Sequence, residues 1–484
     1  MNRQIRGLGI TLIVLFGALF VQVNYLQIFA ADRLNSHPTN TRAIVRDFAR
    51  PRGVIQTADG VVLARSVPVD TEFQRRREYP EGALFAHITG YLSFSFGAEG
   101  VERTYNDELV GRDQETEIRK LSDLLVKREH TGDVTLTLSK KLQQVASEQL
   151  GERKGAVVAL NPRTGAVLAM ADYPSYDPNR LAAHSQAEVR AAWDELNADP
   201  DKPLLSRAFR ERYPPGSSFK VVTAAAALAS GSASIAQPVY PTLTALPLPN
   251  SGGQTLANFG GGSCGGNLPE ALRVSCNTAF AQLGMDMGAE DLAEVAGDFG
   301  FRQEPPIDLP FAAVSNFPEA SAFARDLPGL AKSAIGQQDV AATPLQMALV
   351  AAAIANDGVI MKPHVMAEIR NDEGEVIQTA EPEQWKQAVS ASVAGQVKDM
   401  MVQVVERGTG TAARLPGIQV AGKTGTAQTG LDTNHVWFIS FAPANDPQIA
   451  VAVMLENLPT ASEATGGGLA APIARAVIQA ALAG

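Results

Sequence analysis

The most apolar stretch of the chain lies at its amino end. Residues 7–31 carry no charged side chain, with Arg3 and Arg6 before them and Asp32 and Arg33 after them. This run is long enough to cross a bilayer as a helix. Because arginines favour the cytoplasmic side, the pattern predicts a cytoplasmic tip and a single transmembrane anchor in residues 1–31, with the remaining chain outside. The alternative is a cleaved signal peptide, which Phe29 disfavours because it is a poor residue at the start of a cleavage site.

Residues 32–152 have few long apolar runs and are rich in arginine. Short strand-like pieces at 53–55 and 61–63 flank the turn signal Asp59-Gly60 and predict a hairpin. We interpret the arginine triplet at 75–77 as a solvated face. The whole region is interpreted as a pedestal that holds the following residues away from the bilayer.

Apolar segments are longer in residues 153–484. Residues 156–160 and 166–170 flank a turn at 161–165, which predicts a second hairpin. Helix-like runs then precede strand-like runs and a last helix; the helical runs are 221–229, 268–283, 344–355 and 471–482, and the strand-like runs are 420–427, 436–442 and 449–455. Strands at both ends with helices between them predict an α/β (α+β) domain in which one sheet is flanked by helices.

Composition narrows the class of protein. A chain of 484 residues is long enough for about three domains, or for two domains and an anchor. Its 45% hydrophobic and 19% charged residues are typical of folded protein. The net charge of −10 and the pI near 5.3 disfavour nucleic-acid binding, because a polyanion is repelled by an acidic surface.

A serine and a lysine mark the start of one predicted helix. Residues 213–216 read Tyr-Pro-Pro-Gly and break the chain, and Ser-Ser-Phe-Lys follows at 217–220. Free N–H groups at a helix start favour negative charge developing near Ser217. Lys220 lies on the same helical face and is a candidate base for the Ser217 hydroxyl, provided that burial or a second cation lowers its pKa. Alone, the pattern also fits a helix cap followed by a surface lysine.

Two further motifs raise the specificity of this pattern. The sequence Ser-Cys-Asn stands at 275–277 before a helix-like run, and Lys-Thr-Gly stands at 423–425 in a strand-like segment. Ser-x-x-Lys, Ser-Asp-Asn and Lys-Thr-Gly form the set shared by serine β-lactamases and penicillin-binding proteins. Cys276 replaces the aspartate of that set, which is tolerable if only the first and third side chains of the motif face the cleft.

The motif residues have distinct candidate roles. Ser275 would relay a proton between Lys220 and a leaving amine, and Asn277 would donate hydrogen bonds to the substrate amide and to Lys220. Lys423 would supply positive charge for a substrate carboxylate.

The residues that follow Lys423 would hold the substrate. Thr424 and Thr426 add hydroxyl groups, and Gly425 lets the acyl chain lie close to the strand. The backbone N–H groups of Ser217 and Thr426 are candidates for an oxyanion hole.

Residues 155–484 resemble the transpeptidase domain of penicillin-binding proteins in the segments 213–217, 343–348, 408–412 and 422–427. With the anchor and pedestal, the chain is similar to class B members of the actinobacterial PbpA type. This resemblance implies an antiparallel sheet flanked by helices at 153–484 and a dimerisation-like pedestal at 32–152. It also implies a peptidoglycan D,D-transpeptidase that forms an acyl-enzyme at Ser217 and is inhibited by β-lactams. The implied partners are stem peptides, β-lactam antibiotics, the cytoplasmic membrane and a SEDS-type glycosyltransferase.

Other functions fit parts of the pattern. A D,D-carboxypeptidase would use the same residues with water as the acceptor. A β-lactamase would need a glutamate or modified lysine; Glu195 lies in a sequence similar to the glutamate loop of one β-lactamase class, but it precedes Ser217 and is interpreted as a solvated helix residue. A non-catalytic sensor is disfavoured by the six residues before the apolar run, whereas a scaffold for a glycosyltransferase is compatible with catalysis.

The two cysteines, Cys264 and Cys276, lack zinc-ligand spacing. They either form a disulfide that ties the glycine-rich loop 252–266 to the motif at 275–277, or remain separate thiols. We interpret His435 as a strand-edge residue, and the sequence indicates no metal site or organic cofactor.

Overall fold

A computed structural model describes residues 2–25, 48–111, 131–430, 432–460 and 465–483. The chain divides into two compact units, one made of Met1–Pro51 with Val67–Arg76 and the other of Arg52–Ser66 with Arg77–Gly484. The first unit contains helix α1 (Asn2–Asn24). Within the described residues, Arg6–Asn24 is the one stretch long and apolar enough to cross a membrane. This finding agrees with the anchor predicted for residues 1–31, of which 26–31 lie outside the described ranges.

Within the described residues, the second unit contains the α-helices whose bounds follow. They are α2 (Ala86–Thr89), α3 (Gly100–Thr104), α4 (Asn106–Leu109), α5 (Lys140–Leu150), α6 (Gln186–Ala198), α7 (Lys220–Ala229), α8 (Leu268–Arg273), α9 (Asn277–Met287), α10 (Ala289–Asp298), α11 (Leu327–Ser333), α12 (Pro344–Ala355), α13 (Ala391–Arg407) and α14 (Ala471–Leu482). The predicted helical runs at 221–229, 344–355 and 471–482 are confirmed to within one residue.

The strands are short in the amino-terminal part and long near the carboxyl end. They are β1 (Ile55–Gln56), β2 (Val62–Pro68), β3 (Arg75–Glu78), β4 (Leu92–Ser93), β5 (Gly97–Ala98), β6 (Gly132–Leu136), β7 (Gly155–Leu160), β8 (Val167–Tyr173), β9 (Tyr240–Leu243), β10 (Ala245–Pro247), β11 (Thr255–Ala257), β12 (Cys264–Gly266), β13 (Val359–Met361), β14 (Met366–Asn371), β15 (Val376–Thr379), β16 (Gln384–Gln387), β17 (Ala421–Gln428), β18 (Thr433–Ala442) and β19 (Ile449–Pro459).

The larger sheet of the amino-terminal part has the strand order β15-β14-β6-β1-β2-β3. The hairpin predicted around Asp59-Gly60 is confirmed, because β1 and β2 pair antiparallel with Ile55 opposite Ala64. Two strands of this sheet, β14 and β15, come from residues 366–379. The sheet therefore joins the predicted pedestal region to the long carboxyl-terminal region.

The arginine triplet at 75–77 is not a uniformly solvated face, so that prediction is wrong for Arg77. Its side chain is buried, and Arg77 Nε lies 2.5 Å from Glu102 Oε1. Arg52 Nε contacts the other carboxylate oxygen of Glu102 at 2.6 Å. Burial alone would raise the pKa of Glu102, but the two guanidinium groups outweigh it and hold this pKa below its ordinary value. Arg77 is buried because a carboxylate lies within reach to neutralise it.

The second large sheet has the order β17-β18-β19-β7-β8, and all its pairs are antiparallel. The β7–β8 hairpin and the one-sheet prediction are confirmed. Side chains alternate along β18: Trp437, Ile439 and Phe441 belong to one core cluster, whereas Val436 and Phe438 belong to another. The first cluster contains the almost fully buried α12, and the second contains the apolar side of α14. Helices therefore cover both faces of the sheet.

Candidate active site

The Tyr-Pro-Pro-Gly turn places Ser217 beside strand β17. Gly216 has φ +53°, and a Cβ there would lie 2.5 Å from the carbonyl oxygen of Thr426. Glycine therefore allows both the left-handed turn and the close approach of the two backbones. A short 3-10 helix, Gly216–Phe219, runs directly into α7. Ser217 is partly exposed, whereas the Ser218 hydroxyl is buried and donates to Pro215 O at 2.7 Å.

Lys220 is the first residue of α7, and its side chain is fully buried. Its Nζ donates to Ser275 O and to Asn277 Oδ1, each at 2.7 Å, and lies 3.4 Å from Ser275 Oγ. The Phe280 ring closes one side of the site, with its centroid 5.5 Å from Nζ. The first two sequence motifs therefore meet through Lys220.

Lys423 reaches the same hydroxyl from the sheet. Its Nζ donates to Ser275 Oγ and to Thr424 O, each at 2.8 Å, and the side chain is fully buried. The structure thus brings together all three predicted motifs, with Ser275 between two lysines. The proton transfer from Ser217 to Lys220 stays a prediction.

The pKa values of both lysines are lowered. Burial lowers the pKa of Lys423 to about 7. Burial, followed by repulsion from Lys423, lowers the pKa of Lys220 well below its ordinary value. A lysine in this environment can be neutral near neutral pH, which a base requires.

A left-handed residue at Ser275 separates α8 from α9. The apolar run 268–283 predicted one helix, but Ser275 has φ +61° and interrupts it, so that prediction is wrong. Ser275 N donates to Leu272 O at 3.1 Å and Cys276 N donates to Ala271 O at 2.8 Å, which is a Schellman ending. Glycine usually occupies this position. A serine here accepts some backbone strain and directs its hydroxyl toward the two lysines.

Asn277 is the first residue of α9, and the hydrogen bond between its side-chain amide and Lys220 runs in the direction opposite to the predicted one. Its Oδ1 accepts from Lys220, so Asn277 does not donate to that lysine. Its Nδ2 donates instead to Ala257 O at 3.1 Å. The prediction was wrong because the sequence does not show that a carbonyl of β11 lies on the other side of this amide.

Strand β17 carries the other predicted substrate-binding residues. A Cβ at Gly425 would lie 2.7 Å from Pro215 O and 2.9 Å from Trp437 Cβ, so this position has no room for a side chain. Thr426 is partly exposed, whereas Thr424 is almost buried and its Oγ1 lies 2.6 Å from Thr409 Oγ1.

Several supporting residues were not identified as site residues from the sequence. Trp437 Nε1 donates to Pro214 O at 2.9 Å and holds the turn before Ser217. A Cβ at Gly466 would lie 2.1 Å from Trp437 O, and one at Gly467 would lie 2.3 Å from Thr409 O. The Gly-Gly-Gly triplet at 466–468 was the available signal for this close packing against β17.

The alternatives left open by the cysteines are resolved in favour of a disulfide. Cys264 and Cys276 are bonded, with their Cα atoms 5.7 Å apart. The glycine-rich loop is thereby tied to the motif at 275–277.

The sequence interpretation of Glu195 is confirmed, whereas that of His435 is wrong. Glu195 is exposed on α6 and pairs with Arg180, as expected of a solvated helix residue. His435 is not a strand-edge residue, because β18 has a neighbouring strand on each side and His435 pairs with Ala427. Its Nδ1 accepts from Asn457 N at 3.2 Å.

The fold and site define the class of protein. Residues 155–479 match the family model of the penicillin-binding protein transpeptidase domain, and residues 52–134 match that of the penicillin-binding protein A dimerisation domain. The chain belongs to the penicillin-binding protein transpeptidase family.

Individual relatives agree with this assignment over the full chain. Peptidoglycan D,D-transpeptidase PbpA of Mycolicibacterium smegmatis is 43% identical, covering 100% of this chain and 99% of the relative. The PbpA of Mycobacterium tuberculosis is 40% identical and covers all of both chains. The solved structure of penicillin-binding protein A from M. tuberculosis as a ceftriaxone acyl-enzyme superposes with a TM-score of 0.84 at 40% identity, covering 90% of this chain and 100% of that one. The PbpA-type resemblance is thus confirmed.

Proposed function

We propose that this protein is a peptidoglycan D,D-transpeptidase that cross-links stem peptides through an acyl-enzyme at Ser217. The observation that carries the proposal is the pair of fully buried lysines on either side of Ser275. The relatives named D,D-transpeptidase and the acyl-enzyme complex of a similar structure support it.

Acylation begins at Ser217. Neutral Lys220 takes the hydroxyl proton while Ser217 Oγ attacks the carbonyl carbon of the penultimate D-alanine of the donor stem. The oxyanion accepts hydrogen bonds from the N–H groups of Ser217 and Thr426. The closeness of Gly216 to Thr426 O supports this pairing, because it keeps the two backbones side by side.

The leaving group is the amine of the terminal D-alanine. Lys423 donates to Ser275 Oγ, so the Ser275 hydroxyl proton is free to point toward another acceptor. Ser275 passes its proton to the leaving nitrogen as the C–N bond breaks, and protonated Lys220 replaces that proton. Terminal D-alanine departs and the donor remains as an ester on Ser217.

Deacylation reverses the proton path with a new nucleophile. The amine of a neighbouring stem attacks the ester carbonyl and loses its proton through Ser275 to Lys220. Lys220 then returns a proton to Ser217 Oγ as the ester C–O bond breaks. An amide cross-link forms and the free enzyme is regenerated. A β-lactam acylates the same oxygen with opening of its ring.

Strand β17 binds the donor. Lys423 supplies positive charge toward the terminal carboxylate, and Thr424 and Thr426 add hydroxyl donors. Gly425 leaves space for the substrate backbone beside the strand. Asn277 donates to the substrate amide through the second N–H of its Nδ2, while the first stays on Ala257 O.

The same proposal includes the cellular arrangement. Residues 1–31 form the cytoplasmic tip and membrane anchor, 32–152 the dimerisation-like pedestal and 153–484 the transpeptidase domain. The apolar helix α1 with Arg3 and Arg6 at its start supports a cytoplasmic amino end. A SEDS-type glycosyltransferase would supply the glycan strands that this enzyme cross-links.

Labelling with a fluorescent penicillin tests the acyl-enzyme. Wild type is expected to form one slowly lost adduct that maps to Ser217, and Ser217→Ala and Lys220→Ala are expected to form none. Ser218→Ala is the matched control, since its hydroxyl is bonded to Pro215 O and is not placed for attack. An adduct retained in Ser217→Ala would overturn the proposal, and rapid loss of the wild-type adduct would indicate a β-lactamase.

Purified enzyme with a donor pentapeptide then separates transfer from hydrolysis. With an added amine acceptor, we expect a cross-linked product together with released D-alanine. Release of D-alanine without cross-linked product at saturating acceptor would identify a carboxypeptidase instead.

A further inference from the structure

The start of α9 receives its helix cap from a distant residue. Within the described chain, the side chain of its N-cap residue Cys276 accepts from no backbone N–H of the helix start, and its sulfur is engaged in the disulfide. Thr278 is nearly buried, so its N–H group needs a protein acceptor. Asn258 provides one, because its Oδ1 accepts from Thr278 N at 3.0 Å.

The other end of the Asn258 amide is also fully used. Its Nδ2 donates to Leu243 O at 2.7 Å and to Gly262 O at 3.0 Å, and the residue is only 8% exposed. Its backbone N donates to Thr244 O at 3.1 Å. Asn258 therefore joins β9, the glycine-rich loop and α9 through one buried side chain.

The residue before Asn258 touches the catalytic motif. Ala257 O accepts from Asn277 Nδ2, while Asn277 Oδ1 accepts from Lys220. A reversed Asn277 amide would place its oxygen against Ala257 O, which is repulsive. It would also place its NH2 against Lys220 Nζ, where the NH2 either meets an ammonium or occupies the lone pair that the neutral base needs. The position of Ala257 O thus selects the orientation in which Asn277 accepts from Lys220.

We propose that Asn258 is a positioning residue for Asn277. It fixes the start of α9 on one side of Asn277 and the carbonyl of Ala257 on the other. Without it, the Asn277 amide loses its fixed orientation and the hydrogen bond to Lys220 is made only part of the time. The inference rests on the proposed function, because it assigns Asn258 an effect on acylation of Ser217.

The test compares acylation rates of the full-length protein with a fluorescent penicillin. Asn258→Ala is expected to lower the second-order rate constant about tenfold, the size expected when buried hydrogen bonds are lost. Asn258→Asp keeps an acceptor for Thr278 N, but its second oxygen can donate to Leu243 O or Gly262 O only when it is protonated. It is therefore expected to recover part of the lost rate, to between the rates of Asn258→Ala and wild type.

The matched control is Asn267→Ala. Asn267 caps the neighbouring helix α8 in the same way, with Oδ1 accepting from Glu270 N at 3.2 Å, but Asn277 is not among its hydrogen-bond partners. We expect this variant to lose some thermal stability, less than Asn258→Ala because one side-chain hydrogen bond is lost instead of three, and to acylate within about twofold of wild type.

The outcomes separate this inference from the proposed function. A loss of acylation rate in Asn258→Ala that Asn267→Ala does not share, together with recovery in Asn258→Asp, supports the role of Asn258. Equal rates in Asn258→Ala and Asn267→Ala, or no recovery in Asn258→Asp, overturn it while wild type still forms the Ser217 adduct. Failure of wild type to form that adduct overturns both.

Discussion

Lys423 Nζ donates to Ser275 Oγ at 2.8 Å across 148 positions of sequence, and the same oxygen lies 3.4 Å from Lys220 Nζ. One hydroxyl therefore stands between two fully buried lysine side chains. Burial lowers the pKa of Lys423 to about 7, and burial with the added repulsion of Lys423 lowers that of Lys220 well below its ordinary value. A lysine on strand β17 thus helps to lower the pKa of Lys220 on helix α7, so that Lys220 can be neutral.

This relationship predicts the pH dependence of acylation. Lys423→Met removes the nearby cation, so the pKa of Lys220 rises. Because Lys220 must be neutral to accept a proton, the acid limb of the acylation profile moves to higher pH. The rate near pH 7 also falls by at least about tenfold. Penicillin acylation measured from about pH 5 to about pH 10 checks this, with exposed Lys202→Met as the control. An acid limb that stays in place would contradict the coupling.

The same burial predicts a dependence of unfolding on pH. An unfolded lysine has a pKa of about 10.4, whereas that of Lys423 in the folded protein is about 7. Between these values the unfolded chain binds more protons, so the free energy of unfolding rises with pH; the penalty is complete below about pH 7. We expect wild type to gain stability from about pH 7 to about pH 9 more steeply than Lys423→Met in chemical denaturation. Identical slopes of unfolding free energy against pH in the two proteins would contradict this prediction.

The sequence predicted the motif residues of the site better than the contacts that hold them in place. The three motifs form the set shared by serine β-lactamases and penicillin-binding proteins, which indicated that Lys220, Ser275 and Lys423 meet around one site, and they do. The left-handed break at Ser275 was not predicted, because the apolar pattern continues through it. Burial of Arg77 was missed since its partner Glu102 is 25 positions away, beyond any local pattern.

Support from Ala257 and Asn258 was missed for a related reason. Both residues lie in a glycine-rich loop with no apolar period, so their contacts with α9 depend on the tertiary fold alone. Local sequence patterns predict individual helices and strands. These contacts form only when the helices and strands are packed together, so a local pattern does not reveal them.

The close packing of Gly425 predicts a selective loss of activity. In Gly425→Ala, the new Cβ meets Pro215 O at 2.7 Å and Trp437 Cβ at 2.9 Å, and the backbone before Ser217 must shift. We expect acylation to fall by about 10²-fold or more, because small displacements of reacting groups are costly. Gly395→Ala in α13 is the control, since a Cβ there meets no atom of the described residues within 4 Å. Equal acylation rates in the two variants would show that β17 adapts.

The disulfide predicts a stability effect that depends on reductant. Cys264 and Cys276 are 12 positions apart, and closing a loop of this size stabilises a fold by about 2–3 kcal/mol. The double variant with alanine at both positions is expected to lose that amount of unfolding free energy, measured by denaturation. Reductant should lower the unfolding free energy of wild type by the same amount and should leave that of the double variant unchanged. A wild type that is insensitive to reductant under unfolding conditions would argue against the bond.

The buried cluster around Glu102 predicts the largest stability loss. In Glu102→Gln, Arg52 and Arg77 remain buried with no countercharge from this residue, and breaking a buried pair in this way costs about 3–5 kcal/mol. The exposed pair of Arg65 with Glu78 is the matched control, and Glu78→Gln should cost less than about 1 kcal/mol. Denaturant titrations of both variants measure the difference. The cluster is structural and distinct from the residues around Ser275, so the folded fraction of Glu102→Gln should still form the penicillin adduct. A loss below about 1 kcal/mol would mean that solvent reaches the two arginines.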